Sequence, residues 1–156
     1  MASDGKGRNE TDAEREDRNW NELLQELRVT QTGVQLLTGL LLTLPFQQRF
    51  SVLDDLATGV YLAVVVCAVS SVALLIAPVA FHRLLFRQGE KDWLLARGNL
   101  AAMLGLAGLM LASSGALWII FDVVTNRLAA SVVLAVALVL FTTLWWGVPL
   151  SQRRQG

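Results

Sequence analysis

Leu56-Ala-Thr-Gly-Val-Tyr-Leu-Ala-Val-Val-Val-Cys-Ala-Val-Ser-Ser-Val-Ala-Leu-Leu-Ile-Ala-Pro-Val-Ala-Phe81 runs for 26 residues without one Asp, Glu, Lys or Arg. About 20 apolar residues at roughly 1.5 Å rise each cross the hydrocarbon core of a bilayer. A charge at the bilayer centre costs about 2.5–3.5 kcal/mol, so a run this long and this bare is a candidate span. On its C-terminal side, Leu100–Val124 and Leu128–Leu150 are equally long and carry no charge except near their ends. A water-soluble bundle needs a charged face on each helix to turn outward. None of these three stretches has one.

The stretch before them, Val29–Phe46, is shorter and striped. Gln31, Gln35 and Thr38 share one helical face, with Thr32, Gly39 and Thr43 beside them, while Leu36, Leu37, Leu40, Leu41 and Leu44 cover the other. Leucines against lipid and polar groups against neighbouring helices describe a span that is partly surrounded. The fold class expected is therefore all-α: an integral membrane four-helix bundle made of two helical hairpins. The chain divides into residues 1–28, a four-span domain over 29–150 with spans at 29–46, 56–81, 100–124 and 128–150, and a tail over 151–156.

Charge placement supports this division. Only 17% of the 156 residues are charged, against roughly 25% in a soluble domain. Eight of the thirteen acids lie within the first 28 residues. There, Thr11 and Glu14 make a capping-box pattern, and Trp20, Leu23, Leu24 and Leu27 recur at i, i+3, i+4 and i+7. These features predict an N-terminal amphipathic helix on the membrane face or folded under the bundle. No apolar core with a small-residue cleavage site precedes it, so the first span is expected to act as an uncleaved insertion signal.

Eleven Lys and Arg residues fall in the N-terminal segment, the loop between spans two and three, and the tail. The other two loops hold only Arg49 and Arg127. The basic side is expected to be cytoplasmic, with both termini on it and the protein multi-pass in a bacterial inner membrane. Trp20, Trp93, Trp145 and Trp146 would lie at that boundary, with Trp118 and Phe50 at the outer one. A net charge of zero and no basic patch beyond the membrane flanks argue against a nucleic-acid partner.

Four groups of residues are weighed as sites. Gln31, Thr32, Gln35 and Thr38 can hydrogen-bond between helices or line a hydrated pore, and interhelical bonding is the favoured reading. His82, the only histidine, is a candidate pH sensor four residues after Pro78, although a histidine at a membrane edge more often serves as an anchor. Asp54, Asp55 and Asp122 are candidates for an outer acidic ring, against the plainer role of helix caps. Gly59, Ala63, Cys67 and Ser71 repeat every four residues along the second span, and Ala101, Gly105, Gly108, Ala112 and Ala116 form similar rows on the third. Such small residues let helices approach closely.

Enzyme chemistry finds little support. One histidine and one cysteine cannot build a metal site of the usual kind, and no phosphate loop or dinucleotide fingerprint is present. Ser113 and Ser114 sit mid-span with no base at their depth. No reaction, cofactor or metal is expected. The partners expected are the lipid bilayer and a second copy or another membrane protein, in a structural or accessory role. An oligomeric channel or transporter lined by the first span is the alternative.

Glu26-Leu-Arg-Val-Thr-Gln-Thr-Gly-Val-Gln35, Leu41-Leu-Thr-Leu-Pro-Phe46 and Ala77-Pro-Val-Ala-Phe-His-Arg-Leu-Leu-Phe86 together resemble a family of small four-span membrane proteins common in actinobacteria, a domain of unknown function. The resemblance implies four spans and an inner-membrane location, and no assigned activity. Some members carry a transferred sodium:proton antiporter label. Coupled antiport needs an ionisable group deep in the membrane, and none of the thirteen acids is expected there.

The central expectation is direct to check. The expressed protein should sediment with membranes, resist carbonate extraction and require detergent for release; recovery in the supernatant would remove the basis of the reading.

Overall fold

A computed structural model of the chain describes residues 12–85 and 91–153. In order they form α1 (Asp12–Thr43), 3-10 turns at Leu44–Phe46 and Gln48–Val52, α2 (Asp55–Leu85), α3 (Lys91–Val124), α4 (Arg127–Thr142), a π-helical turn at Thr143–Gly147 and α5 (Val148–Arg153). Four segments are long and apolar enough to cross a membrane: Leu24–Phe46, Asp55–Phe81, Ala96–Val124 and Arg127–Gly147.

Local sequence explains where the helices stop. Pro45 sits at the start of the first 3-10 turn, where its missing N–H and fixed φ end α1. Asp54 starts α2, its carboxylate accepting a hydrogen bond from the Ala57 N–H at 2.9 Å. Between α3 and α4 only Thr125 and Asn126 turn the chain, and the Asn126 side chain accepts from the Ala129 N–H at 3.0 Å. So short a connection makes α3 and α4 an antiparallel hairpin. After α4, the Val148 N–H bonds the Thr143 carbonyl five residues back. That wider turn lies just ahead of Pro149, which has no N–H to donate, and the chain continues into α5.

The N-terminal region differs from the expectation. In place of a separate amphipathic helix, α1 is one helix of 32 residues, about 48 Å long. No Gly or Pro occurs between Asp12 and Thr32 to break it. Leu27 belongs not to a surface-seeking face but to the core, packed with Val34, Leu75 and Ala102. Thr11 of the capping-box pattern, and the side chains of Glu14, Trp20 and Leu23, lie outside the described residues.

The centre of the molecule is the α2–α3 pair, where three glycines of α3 meet α2 at contact. A Cβ built on Gly105 would stand 2.7 Å from Leu75 Cγ and 3.3 Å from the Leu75 backbone nitrogen. One on Gly108 would overlap Ser71 Oγ, and one on Gly115 would overlap Val64 Cγ2. Numbers fall on α2 as they rise on α3, so the pair is antiparallel and shut along about 15 Å of α3. Only part of the small-residue row expected on α2 takes part. Gly59 has no atom within 4 Å of its Cβ position and Ala63 is exposed, so the upper half of that row faces outward.

The outer helices are attached more lightly. α4 packs on α3, and α1 packs on α2 with a small contact to α3. About 11% of the apolar window of α1 or α4 is buried, against 28% for α2 and 33% for α3. Among the described residues α1 and α4 share no extended contact, so the expected bundle is open, with α1 and α4 flanking the central pair. The reason lies in composition: the glycines that permit close approach are concentrated on α3, and α4 has none before Gly147.

Gly105→Ala should therefore lower the thermal unfolding midpoint in detergent, with a cost of about 1–3 kcal/mol for overpacking. Gly59→Ala should leave the midpoint unchanged or raise it, because a helix gains roughly 0.5–1 kcal/mol when an unconstrained Gly becomes Ala. Equal behaviour of the two variants would contradict the close approach.

Candidate functional site

The polar stripe of α1 divides between two environments. Gln31 and Thr38 lie on the side of Val34 and Leu41, which is the side against α2. The Gln31 side-chain N–H donates to the Leu75 carbonyl at 2.7 Å. Pro78, fully buried three residues further along α2, has no N–H for the carbonyl of Leu74. Gln31 thus bonds the carbonyl next to the one that Pro78 leaves without its helical donor. Thr38 is buried and donates to the Val34 carbonyl at 2.8 Å, within its own helix.

Thr32 and Gln35 point away from α2. Thr32 is exposed and donates to the Arg28 carbonyl at 3.1 Å. Gln35 is exposed and, among the described residues, its amide has no hydrogen-bond partner. The four candidates are therefore not one lining: two lie on the side of α2 and two face outward.

A second contact between α1 and α2 was not legible in the stripe. Tyr61, the only tyrosine, is buried and its hydroxyl donates to the Leu41 carbonyl at 2.9 Å. Phe50 packs edge-on against its ring, with centroids 5.1 Å apart and planes at 76°. A phenol in a charge-free apolar run must find an acceptor, and that was the signal available.

At the end of the molecule where α2 and α4 begin, Asp54 caps α2, the plainer of the two readings, and a clamp joins it to Asp122. Arg127 Nη2 donates to Asp54 Oδ2 at 2.7 Å. Its Nε and Nη2 also reach the two Asp122 oxygens at 3.2 and 3.3 Å. Two carboxylates share one guanidinium, so they do not form an open cation-concentrating ring. Asp55, the third member, is exposed in the first turn of α2. The guanidinium also lies 5.7 Å from the Trp118 ring centroid, and Trp118 Nε1 donates to Ser131 Oγ at 3.4 Å. The starts of α2 and α4 and the end of α3 are thereby tied at one point.

His82, the pH-sensor candidate, falls on α2, but its side chain lies outside the described residues. Cys67 is half-buried and unbridged, and its carbonyl accepts from Ser71 Oγ at 2.8 Å. Ser114 is fully buried, and among the described residues its hydroxyl has no hydrogen-bond partner. Among the described residues no group of three or more His, Cys, Asp or Glu side chains could hold a metal ion.

The clamp gives a pH dependence with a defined sign. The Ala57 N–H and then the Arg127 guanidinium hold the Asp54 carboxyl below its ordinary value of 3.8. The folded state therefore favours the carboxylate, and its contribution is complete above the ordinary value and lost as pH falls through the lower folded one. The unfolding midpoint in detergent should drop more steeply below about pH 4 for the native chain than for Asp54→Asn. Parallel curves would show that the clamp contributes nothing.

No curated protein and no solved structure matches the chain. The model of a family of unknown function, DUF6328, matches residues 9–149. That range takes in both halves of the α1 stripe, the glycine contacts of α3 and the Asp54–Arg127–Asp122 clamp. The chain belongs to the DUF6328 family of unknown function.

Proposed function

We propose that the chain is a multi-pass protein of the bacterial inner membrane, with both termini cytoplasmic, and that it serves as an assembly component by pairing with a second copy of itself through α1. The observation that carries this reading is Gln35. It is the central residue of the 23-residue apolar segment Leu24–Phe46, and its amide is exposed without a partner. An amide has two N–H donors and a carbonyl acceptor, and hydrocarbon satisfies none of them.

The neighbours of Gln35 extend this feature into a strip. Arg28, Thr32, Gln35, Gly39 and Leu42 are all exposed and follow one another at spacings of four, three, four and three. That spacing is the seam of a left-handed helix pair. Gly39 has nothing within 4 Å of its Cβ position, which leaves room for a partner backbone. Two copies inserted in the same sense, related by a two-fold axis along the membrane normal, bring Gln35 opposite Gln35 at one depth. Each amide then donates to and accepts from the other. A second copy is the partner that guarantees this match in depth and chemistry.

The pore alternative has less to draw on. Two of its four polar side chains, Gln31 and Thr38, are held inside the chain, and the middle of each of the four apolar segments is without a carboxylate to serve ion exchange.

Cross-linking in membranes tests the reading. In a Cys67→Ser background, Gln35→Cys should oxidise to a disulfide-linked dimer, while Leu36→Cys and Leu40→Cys, equally exposed on the adjacent face, should not. Equal cross-linking at all three positions would refute the interface. Gln35→Leu should weaken the dimer roughly 3- to 30-fold, the equivalent of about 0.6–2 kcal/mol. The same Gln35→Cys chain should resist a membrane-impermeant maleimide. Ready labelling would mean that the face is wet and would favour a pore.

A further inference from the structure

Contact between α3 and α4 stops partway along the pair. Trp118 Nε1 donates to Ser131 Oγ near the shared turn, and eight residues back along α3 the Met110 Sδ accepts from Thr142 Oγ1 at 3.6 Å. Beyond Thr142, among the described residues, neither the π-helical turn Thr143–Gly147 nor α5 makes an extended contact with α3. Apolar side chains are left bare on both sides of the gap. Leu100 and Met103 of α3 are 47% and 43% exposed, and Leu144 and Val148 on the other side are 55% and 51% exposed. Met103 lies seven residues before Met110 and Val148 six after Thr142, so the two stand level to within about one rise of 1.5 Å.

Helical phase shows why they do not meet. Ala130, Leu134, Ala137 and Phe141 are buried or half-buried at spacings of four, three and four, and this is the face of α4 against α3. In an unbroken α-helix Val148, seven residues after Phe141, comes next on that face. Instead its N–H bonds the Thr143 carbonyl, five residues back. One extra residue in a turn rotates all that follows by about 100°, which carries Val148 off the seam. Trp145 meanwhile packs on Phe141 and Trp146, with ring centroids 5.0 and 6.0 Å apart, so the turn has side-chain cover of its own.

We infer that Thr143–Gly147 is a two-position hinge. When the Val148 N–H moves from the Thr143 to the Leu144 carbonyl, the turn tightens to α and α5 swings so that Val148 closes on Met103. Pro149 has no N–H, so this shift displaces no bond donated by the next residue. Gly147 lies within the turn and adapts to either backbone form at little steric cost. The closed position gains contact between apolar surfaces that are now bare, and it is opposed by placing a proline inside a continuous α-helix. Open, the hinge leaves the Leu100–Met103 face of α3 reachable from the side; closed, it seals that face. Every contact invoked lies within one chain, so the inference stands apart from pairing through α1.

Disulfide formation in the full chain tests the hinge, in a Cys67→Ser background with copper phenanthroline as oxidant. Met103→Cys with Val148→Cys should form an intrachain bond slowly. Adding Pro149→Ala should speed it at least about tenfold, because alanine removes the opposition to the α register. Met110→Cys with Thr142→Cys, just ahead of the hinge, should form quickly and at one rate with or without Pro149→Ala, which also establishes that both chains are folded. Absence of the Met103–Val148 bond while Pro149 is present, or equal rates with and without Pro149→Ala, would overturn the inference by making the turn a fixed bend. Bonding of that pair as fast as the Met110–Thr142 pair, with Pro149 in place, would overturn it by showing α5 already against α3. A product of doubled mass would overturn it in favour of α5 docking on a second copy.

Discussion

The contact between α2 and α3 sets the terms for every other part of the molecule. On the proposed membrane insertion, apolar helices gain nothing by excluding their apolar solvent, so they would hold together only through close packing and interhelical hydrogen bonds. Gly105, Gly108 and Gly115 provide the packing by removing the Cβ where Leu75, Ser71 and Val64 arrive. Interiors this dense behave as fixed units. With the central pair rigid, its two outer surfaces become platforms on which α1 and α4 are laid.

The two additions are held differently, and the difference follows from what each helix carries. α4 is joined through a two-residue turn and the Arg127 clamp, which binds the ends of three helices at once. α1 arrives through a longer connection and is secured at two depths, by Gln31 on the Leu75 carbonyl and by Tyr61 on the Leu41 carbonyl. Both bonds run from a side chain to a backbone carbonyl of the neighbouring helix. A carbonyl keeps a second lone pair while serving its own ladder, so such bonds add attachment without breaking either helix.

How much of this was legible in the sequence depends on the kind of signal. Charge-free runs of 18 or more residues are a property of single stretches, and they place the four apolar segments to within five residues at either end. The start of α1 was misjudged because amphipathic spacing from Trp20 to Leu27 suits a surface helix and the first turns of a packed one equally well. Only the position of Leu75 decides between them, and that is a tertiary fact. The clamp was hidden for a related reason. Asp54 and Asp122 are 68 residues apart, and Arg127, set down by sequence as a mere topological charge, proved to be the group that neutralises both. Small-residue spacing identified the glycines of α3 as packing residues, yet could not show that Gly59 and Ala63 would be left outside.

Gln31 and Gln35 carry the sharpest instance of that limit. They are one helical turn apart and identical in chemistry, and by wheel position they belong to one face. A turn of 3.6 residues displaces the second by about 40° from the first. Against a neighbour as narrow as α2, that rotation separates a group bonded at 2.7 Å from one facing outward. Gln31 is thereby accounted for within the chain, at the proline-weakened part of α2, and removing it would test only attachment. Gln35 lies at the middle of its apolar segment, where a bare amide would be least tolerated in a bilayer and where, among the described residues, nothing answers it. Structural need explains the first glutamine. The second would acquire a reason from the second copy proposed beside α1.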